Sequence, residues 1–255
     1  MNKKEYVLNK LANCQGKIGF YYKNLVTNET ITLNAEDEFL SASVIKLPMF
    51  AAIMKKFAEN EADLNEEIAV TEESIMPSSG ALNLFEKMPT LDIKTLCNLM
   101  IALSDNTATN ILMNRYGIDE LNRIFKEIGF NKSHIERLLF DSNAAQKGLE
   151  NYVVPKELGD FLEKLYTKSF IDEYISDEII NVLKKQKVRH KLQGLMAGRF
   201  VVAHKTGEDN GITNDVGIVY SEEPFVIVFL SNNTDVGETE KCIREIALEL
   251  TKIDK

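Results

Sequence analysis

The chain has 255 residues, of which 44% are hydrophobic and 27% are charged, with 13 glycines and 5 prolines. This composition is typical of a globular protein large enough for a substantial core, and it excludes intrinsic disorder and a disulfide-framework miniprotein. The net charge of -9, from 30 basic and 39 acidic side chains, argues against binding to a nucleic-acid backbone.

The N-terminal part predicts a helix followed by two strands. Residues 3–13 have apolar side chains at helical spacing, which indicates a short amphipathic helix. Residues 17–26 and 30–34 are typical of strands, and the polar residues 27–29 between them indicate a turn. Strands with so short a connection pair antiparallel.

The middle of the chain, residues 41–195, is predicted to be mainly helical. Its clearest helix covers residues 91–103, where apolar side chains recur at helical spacing. Gly117 stands where a C-terminal helix cap is expected, and Pro155 suits the first turn of a helix. Pro48 predicts a kink, or a delayed start of the regular helix, after Ser43.

The C-terminal part returns to strands and ends in a helix. The predicted strands are residues 199–206, 215–220 and 225–231. An acidic turn at residues 221–224 joins the last two of these strands. Residues 236–252 carry apolar side chains at helical spacing and predict the final helix.

This order of elements predicts an α/β fold of the α+β type. One five-stranded antiparallel sheet forms from both ends of the chain, with N- and C-terminal helices flanking it and an all-helical domain inserted. The sheet domain comprises residues 1–40 and 196–255, and the helical domain comprises residues 41–195. The active site is expected in the cleft between the two domains.

The sequence was also searched for membrane-spanning segments, an export signal and metal-binding spacings. No apolar run approaches the roughly 18 residues that a membrane-spanning helix needs, so no membrane partner is expected. The N-terminus shows no export signal, which predicts a cytoplasmic protein unless a leader has been trimmed from the chain. The three cysteines and three histidines have no metal-binding spacing, so we expect no metal site.

Ser43 and Lys46 lie three residues apart at the predicted start of a helix, so the hydroxyl and the amine share one face. A serine hydroxyl is a weak nucleophile that needs a base, and a desolvated lysine can lose its proton and serve as that base. Free N–H groups at the helix start could stabilise an oxyanion. Taken alone, the pattern also fits a capping serine followed by a surface lysine.

Ser104, Asp105 and Asn106 follow the clearest helix. The Ser104 hydroxyl could relay a proton to a leaving nitrogen, and the Asn106 amide could orient a substrate carbonyl group. The same three residues also fit a turn between two helices in which polar side chains act as caps.

Lys205, Thr206 and Gly207 end a predicted strand. The lysine and the hydroxyl could bind a substrate carboxylate, while the glycine would let a backbone approach closely. A plain turn at the end of a strand fits these residues as well. However, both tripeptides in this order and context are expected by chance in well under roughly one chain in a thousand.

With these three motifs the sequence resembles the class A β-lactamases and the penicillin-binding DD-peptidase superfamily over essentially the whole chain. Residues 203–208 and 214–218 add to the resemblance. It implies that Ser43 is the acylated nucleophile, that Lys46 is its proton partner, and that Ser104 is catalytic. The substrate-binding residues it implies are Asn106, Lys205, Thr206, Gly207, Glu208 and Asn143. The backbone N–H groups of Ser43 and Glu208 would form the oxyanion hole.

The loop at residues 136–155 departs from the family pattern. The β-lactamases carry a Glu-x-x-x-Asn pair in this loop, and the glutamate activates the water that releases the acyl group. If Asn143 is the family asparagine, the glutamate position is occupied by Leu139. Slow deacylation is therefore expected, unless Asp141 or Glu136 reaches the site through a differently folded loop.

The resemblance implies a monomeric, cofactor-free serine hydrolase that opens a β-lactam amide through an acyl-Ser43 intermediate, and a role in bacterial antibiotic resistance. Two alternatives stay open. One is a DD-peptidase-like amidase or esterase acting on a D-alanyl peptide, and the other is a penicillin-binding sensor that acylates without turnover. The arginine that often assists the Lys205 position has only Arg189 and Arg199 as candidates.

Overall fold

The computed structural model describes residues 2–196 and 198–253 of the chain. In chain order the strands are β1 (Lys17–Asn24), β2 (Thr30–Leu33), β3 (Phe39–Leu40), β4 (Glu67–Ala69), β5 (Thr90–Asp92), β6 (Tyr152–Val153), β7 (Val201–Asp209), β8 (Ile212–Tyr220) and β9 (Phe225–Asn232). The helices are α1 (Lys3–Ala12), α2 (Lys46–Ala58), α3 (Ile93–Ala102), α4 (Asn106–Tyr116), α5 (Ile118–Ile128), α6 (Ser142–Gln146), α7 (Pro155–Tyr166), α8 (Glu173–Leu183) and α9 (Val236–Leu250). Short 3₁₀ helices lie at Ala42–Ile45, Glu72–Ser74 and Leu82–Leu84. Within the described residues, none of these helices has both the length and the apolar character needed to cross a bilayer.

The main sheet joins the two ends of the chain, which confirms the predicted fold class. Its strand order is β2-β1-β9-β8-β7, and all neighbouring strands are antiparallel. β1 pairs with β9 from Lys17, opposite Asn232, to Asn24, opposite Phe225. β7 lies at one edge of the sheet, so one side of its backbone is not paired with another strand.

Side chains on the two faces of the sheet enter different hydrophobic clusters. Phe20 and Tyr22 of β1 pack with apolar residues of α1 and α9, whereas Tyr21 packs with the helices inserted between β2 and β7. Because both faces are covered, β8 and β9 are almost entirely buried. Gly159 of α7 lies against the Tyr21 ring, where a Cβ atom would come within 2.3 Å of a ring carbon.

The segment between β2 and β7 is mainly helical, but it also contains two small sheets. β3 pairs with β6, and β4 pairs with β5. These pairings were not predicted, because strands of two or three residues are too short to show an alternating pattern.

The regular helix after Ser43 starts late, as Pro48 indicates. Residues Ala42–Ile45 form a 3₁₀ turn, and α2 begins at Lys46. Pro48 is therefore the third residue of α2, where a backbone N–H would have no partner within the helix.

β7 is longer than predicted, and this corrects the position of one motif. The predicted strand ended at Thr206, but β7 continues and its last pair joins Asp209 to Ile212. The two residues between them are Asn210 and Gly211, and Gly211 has a φ of 66°. Asn-Gly is a preferred pair for two-residue hairpin turns, so the signal was present in the sequence but overlooked. The Lys-Thr-Gly motif therefore lies within an edge strand and not at its end.

Candidate active site

Ser43 and Lys46 meet at the start of α2. Lys46 Nζ lies 2.9 Å from Ser43 Oγ, to which it can donate a hydrogen bond. It also donates to the carbonyl oxygen of Ser104 over 2.8 Å and to Asn106 Oδ1 over 2.7 Å. When the amine is neutral, the first of these bonds can reverse, so that the Ser43 hydroxyl donates to the lysine nitrogen.

Burial and a second cation lower the pKa of Lys46. The Lys46 side chain is fully buried, which disfavours the ammonium form. The positive charge of Lys205 acts in the same direction, while the Asp105 carboxylate opposes it. The pKa of Lys46 is therefore held well below its ordinary value, which suits a group that accepts a proton.

Ser104 and Asn106 reach the site from the turn between α3 and α4. Ser104 has a φ of 53°, a left-handed conformation that costs a non-glycine residue roughly 1–2 kcal/mol. Its hydroxyl accepts a hydrogen bond from Lys205 Nζ. Asn106 lines the cavity in front of Ser43, and its amide nitrogen donates to the carbonyl oxygen of Pro77 over 3.1 Å.

Asp105, between these two residues, accepts hydrogen bonds from the surrounding backbone. One carboxylate oxygen accepts hydrogen bonds from the backbone N–H groups of Ala81 and Leu82, over 2.7 and 3.0 Å. The other oxygen accepts from Ala108 N over 2.9 Å and caps α4. The capping alternative is therefore correct for Asp105, while its two neighbours face the candidate site.

Lys205 is buried behind Ser104. Its Nζ atom donates to the Ser104 hydroxyl and to the carbonyl oxygen of Thr206, the latter over 2.7 Å. Burial lowers the pKa of Lys205 to about 7, although the Asp215 carboxylate opposes this shift. The positive charge of Lys191 lowers the pKa further. The charge of Lys205 is therefore sensitive to its neighbours near neutral pH.

The backbone of β7 comes close to Ser43. A Cβ atom on Gly207 would lie 3.0 Å from the carbonyl oxygen of Ser41 and 3.2 Å from Ser43 N, so a glycine allows this approach. The Ser43 and Glu208 N–H groups remain the expected oxyanion donors. Thr206 is 2% exposed and, by the alternation along β7, lies on the opposite face from Lys205.

A buried lysine that the sequence analysis missed lies behind the same strand. Lys191 Nζ donates to the carbonyl oxygens of Gly207 and Asn214, over 3.1 and 3.3 Å. Arg189 and Arg199 were the candidates for an arginine that assists Lys205, but their guanidinium groups bond elsewhere. Arg189 and Arg199 donate to carbonyl groups within their own loop segments. Lys191 has no distinctive sequence context, so only its position in the fold reveals it.

The loop before α7 forms one wall of the cavity, but Asn143, which was expected to bind substrate, does not lie on that wall. Asn110 of α4 holds Leu139 from both sides: Leu139 N donates to Asn110 Oδ1, and Asn110 Nδ2 donates to the carbonyl oxygen of Leu139, both over 2.9 Å. Leu139 lines the cavity. Asn143 is exposed on α6 and is not among the lining residues, because this short helix presents it to the outside.

The acidic residues of this loop have other partners. Glu136 is exposed, and its carboxylate accepts a hydrogen bond from Glu150 N over 2.8 Å. Glu150 lines the cavity as the ion-pair partner of Arg137, at 2.6 Å. Asp141 also lines the cavity, while one of its oxygens accepts from Ala144 N over 2.9 Å. Asp141 therefore stays a candidate to act in place of a glutamate at the Leu139 position.

The cavity in front of Ser43 has a volume of about 830 Å³. Its walls come from the Ser43 turn, residues 78–79, Asn106, the loop with Leu139, and the end of β7. Cavities of roughly 300–1,000 Å³ are typical of small-molecule sites. The arrangement can therefore hold a small substrate against a serine nucleophile.

Three possible metal ligands meet at the rim of this cavity. His190 Nε2 lies 3.1 Å from a Glu240 oxygen and 3.8 Å from a Glu208 oxygen. The Lys191 ammonium lies 3.1 Å from the same Glu208 oxygen. Because this ammonium already neutralises Glu208, we assign no metal to the group.

Comparisons with known proteins agree over nearly the whole chain. The sequence model described as the β-lactamase enzyme family matches residues 2–253. β-Lactamase VEB-1 of Pseudomonas aeruginosa is 25% identical over 260 residues, which cover 94% of this chain and 86% of that protein. The crystal structure of a β-lactamase from Chitinophaga pinensis is 22% identical, covers 98% of both chains and has a TM-score of 0.90.

PBP-A has a similar fold. Its structure is 23% identical, covers 98% of this chain and 95% of that chain, and has a TM-score of 0.87. A leucine-to-glutamate variant of PBP-A, an acyl-enzyme complex with penicillin G, is 22% identical with the same coverage and a TM-score of 0.87.

Proposed function

This chain belongs to the β-lactamase enzyme family, and from this premise we propose that it hydrolyses β-lactams through an acyl intermediate on Ser43, with slow deacylation. Family membership and fold support β-lactam hydrolysis. The observation that carries the serine mechanism is the buried Lys46 amine, 2.9 Å from the Ser43 hydroxyl.

Acylation follows from the groups around Ser43. Neutral Lys46 takes the Ser43 proton while Oγ attacks the lactam carbonyl carbon, and the backbone N–H groups of Ser43 and Glu208 stabilise the oxyanion. The C–N bond of the lactam then breaks, and the nitrogen receives a proton through the Ser104 hydroxyl. The ring opens without losing an atom, so the acyl-enzyme carries the whole substrate.

Substrate binding rests on the cations behind β7. We propose that the Lys205 ammonium binds the carboxylate of the lactam, because a charge-assisted hydrogen bond suits that group. The Thr206 side chain, on the opposite face of β7, does not share this contact. Lys191, within hydrogen-bond distance of the Gly207 carbonyl oxygen, adds positive charge in the same region. Asn106, at the other wall of the cavity, is suited to orient the amide carbonyl group of the substrate.

Deacylation lacks a comparable base. The Leu139 side chain can neither hold nor deprotonate a water molecule, and the hydrogen bonds from Asn110 fix the Leu139 backbone at the cavity wall. General-base assistance is typically worth about 10²–10⁴-fold, so we expect the acyl-enzyme to accumulate. The acyl-enzyme of the PBP-A variant with penicillin G supports a penicilloyl group as the covalent form.

Intact-protein mass spectrometry after mixing with benzylpenicillin tests this proposal. We expect an adduct equal to the mass of the penicillin, formed quickly and lost slowly. Ser43→Ala should form none, because it removes the attacking oxygen. Absence of an adduct on the wild-type protein, or an adduct that persists in Ser43→Ala, would contradict the proposal.

A second candidate is a penicillin-binding sensor that acylates without turnover. The observation that favours it is Leu139 at the cavity wall, in the place expected for the deacylating glutamate. The same mass measurement separates the two functions. A decay of the adduct, with release of the hydrolysed penicillin, supports the hydrolase, whereas an adduct that remains constant over hours supports the sensor. Release of D-alanine from a D-alanyl-D-alanine peptide would instead support the peptidase alternative.

A further inference from the structure

Cys14 and Cys242 lie on neighbouring helical segments from the two ends of the chain. Cys14 directly follows Asn13, the C-cap of α1, and Cys242 is in the middle of α9. Both contact the hydrophobic cluster on the face of the sheet that α1 and α9 cover. Cys242 is buried, Cys14 is partly exposed, and both are free thiols.

Two contacts hold the end of α1 against the α9 segment, one on each side of Cys14. Lys10, one helical turn before Cys14, forms an ion pair with Glu245 at 2.5 Å. Gln15, directly after Cys14, accepts through its carbonyl oxygen a hydrogen bond from Thr234 Oγ1 over 2.7 Å. Residue numbers rise along one segment while they fall along the other, so the two segments run antiparallel. Cys14 therefore lies between two contacts with the α9 segment.

Cys242 lies between the same two contacts on α9. Thr239, Cys242 and Glu245 are spaced three residues apart, so Cys242 is flanked by the other two along one side of the helix. The Thr239 hydroxyl is hydrogen-bonded to the Thr234 hydroxyl over 2.5 Å, and the Glu245 carboxylate binds Lys10. The side of α9 that carries Cys242 is therefore the side that the end of α1 contacts.

The Cys14 thiol turns back along α1 and contacts Cys242. Cys14 Sγ donates to the carbonyl oxygen of Lys10 over 3.5 Å, which places the sulfur beside the turn whose lysine reaches α9. The two thiols also form a hydrogen bond with each other. This bond, together with the positive charge of Lys10, lowers the pKa of the Cys14 thiol, while the same bond raises the pKa of Cys242. Because the thiolate is the reactive form, the more exposed Cys14 is the cysteine that reacts first.

Cys97 differs from this pair in both exposure and surroundings. It lies in α3, is 2% exposed and belongs to the hydrophobic cluster on the other face of the sheet. Burial raises the pKa of its thiol. The other two cysteines of the chain both contact the α1–α9 cluster, so Cys97 has no thiol to pair with. Cys97 therefore serves as an internal control for the reactivity of the pair.

We propose that hydrogen peroxide converts Cys14 and Cys242 into a reversible disulfide that joins the two ends of the chain and stabilises the fold. The Cys14 thiolate attacks one peroxide oxygen, the O–O bond breaks, and the released hydroxide takes up a proton to leave as water. The Cys242 sulfur then attacks the sulfur of the Cys14 sulfenic acid, and the Cys242 proton leaves with the sulfenic hydroxyl as a second water. The two thiols are oxidised by the loss of two hydrogen atoms, and the peroxide is reduced to two water molecules.

The disulfide would act on stability and not on the Ser43 centre. It closes nearly the whole chain into one loop, and restriction of the unfolded state increases with the length of the closed loop. Val44 and Ile45, which follow Ser43, pack in the cluster on the opposite face of the sheet from Cys242. The inference therefore does not depend on the proposed function, and its test uses no β-lactam.

Mass spectrometry of the protein after treatment with hydrogen peroxide detects the disulfide. We expect the wild type to lose about 2 Da and to give a peptide pair joined through Cys14 and Cys242, and dithiothreitol should reverse both changes. Cys97→Ala should behave like the wild type. Cys14→Ser, which changes a partly exposed side chain, should fold but form no internal disulfide.

Thermal unfolding of the same samples measures the stabilisation. The oxidised wild type should have a Tm at least about 4 °C above that of the reduced protein, and reduction with dithiothreitol should remove the difference. Cys14→Ser should show no such rise after peroxide treatment. A covalent dimer through Cys14, a sulfinic acid on Cys14 without a cross-link, or a disulfide that includes Cys97 would overturn the proposal. An unchanged Tm in the cross-linked protein would also overturn it, because the link would then not stabilise the fold.

Discussion

The Ser43 centre and the Leu139 loop both line one cavity, but they differ in the chemistry they can perform. Around Ser43, the side chains of Lys46 and Lys205 are completely buried and hydrogen-bonded, and Ser104 and Asn106 are nearly so. The loop presents a leucine and ion-paired or capping acids. One side can form an ester with Ser43, while the other lacks an evident base to hydrolyse it.

This difference indicates that acylation and deacylation depend on separate parts of the molecule. The bonds of Lys46 to Ser43, Ser104 and Asn106 do not involve the loop. Asn110 holds the loop through the backbone of Leu139, so this contact does not depend on which side chain residue 139 carries. Substitutions in one region should therefore change one step and leave the other almost unaltered.

Leu139→Glu should change the kinetics most, because it adds a carboxylate to the loop side of the cavity, which lacks a base. The fixed backbone would direct the new side chain into the cavity, and we expect deacylation to be at least about 10²-fold faster. The decay of the penicilloyl adduct measures this rate.

Leu139→Gln is the matched control, since it has the same shape but cannot act as a base, and it should decay like the wild type. Equal acceleration in both variants would show that polarity at the loop, and not a base, limits hydrolysis. No acceleration in Leu139→Glu would show that the exposed position of Asn143 leaves the water unoriented.

Lys205→Ala should have the next largest effect, confined to acylation. Loss of a charge-assisted contact should slow the reaction with a carboxylate-bearing penicillin by roughly tenfold to a hundredfold more than the reaction with a neutral ester, since both substrates also lose the hydrogen bond from Lys205 to Ser104. Since burial lowers the pKa of Lys205 to about 7, the wild-type preference for the charged substrate should itself decline as the pH rises past that value. Stopped-flow acylation across pH measures both effects. Equal losses on the two substrates would mean that Lys205 supports the general chemistry or the fold.

Asp105→Ala should have the smallest effect on the reaction rates. The Asp105 carboxylate accepts hydrogen bonds from backbone N–H groups and does not line the cavity. The substitution removes a helix cap and two further hydrogen bonds to buried backbone, so the free energy of unfolding should fall by about 1–3 kcal/mol. Urea denaturation measures the loss.

Asp172→Ala is the control for Asp105→Ala, since Asp172 caps α8 through one N–H group and should cost about 1 kcal/mol. A larger loss from Asp172→Ala than from Asp105→Ala would contradict the structural role assigned to Asp105.

Much of the fold was predictable because its signals are local. Alternating apolar residues mark β1 and β2, and helical spacing marks α3 and α9 close to their observed bounds. The true end of β7 was also predictable in principle, because Asn210 and Gly211 form a typical hairpin pair. The sheet order then follows from short antiparallel connections and the pairing of both chain ends.

The three motifs were recognisable in the sequence because each combines unusual residue types at fixed spacing. The contacts that surround them were not, since they join residues far apart in the chain. Lys191 carries no motif, and its approach to the Gly207 carbonyl oxygen depends on how a loop crosses the end of the sheet. The pairing of Asn110 with Leu139, and the exposure of Asn143, likewise depend on tertiary packing.

Pre-steady-state kinetics with a chromogenic cephalosporin tests most directly the claim that the protein acylates readily but deacylates slowly. We expect a burst of product equal to the enzyme concentration, followed by slow steady-state turnover, because the acyl-enzyme accumulates before hydrolysis. Rapid turnover without a burst, which then collapses in Asp141→Asn, would contradict the claim. It would show that Asp141 acts as the deacylating base and that both sides of the cavity are catalytically complete.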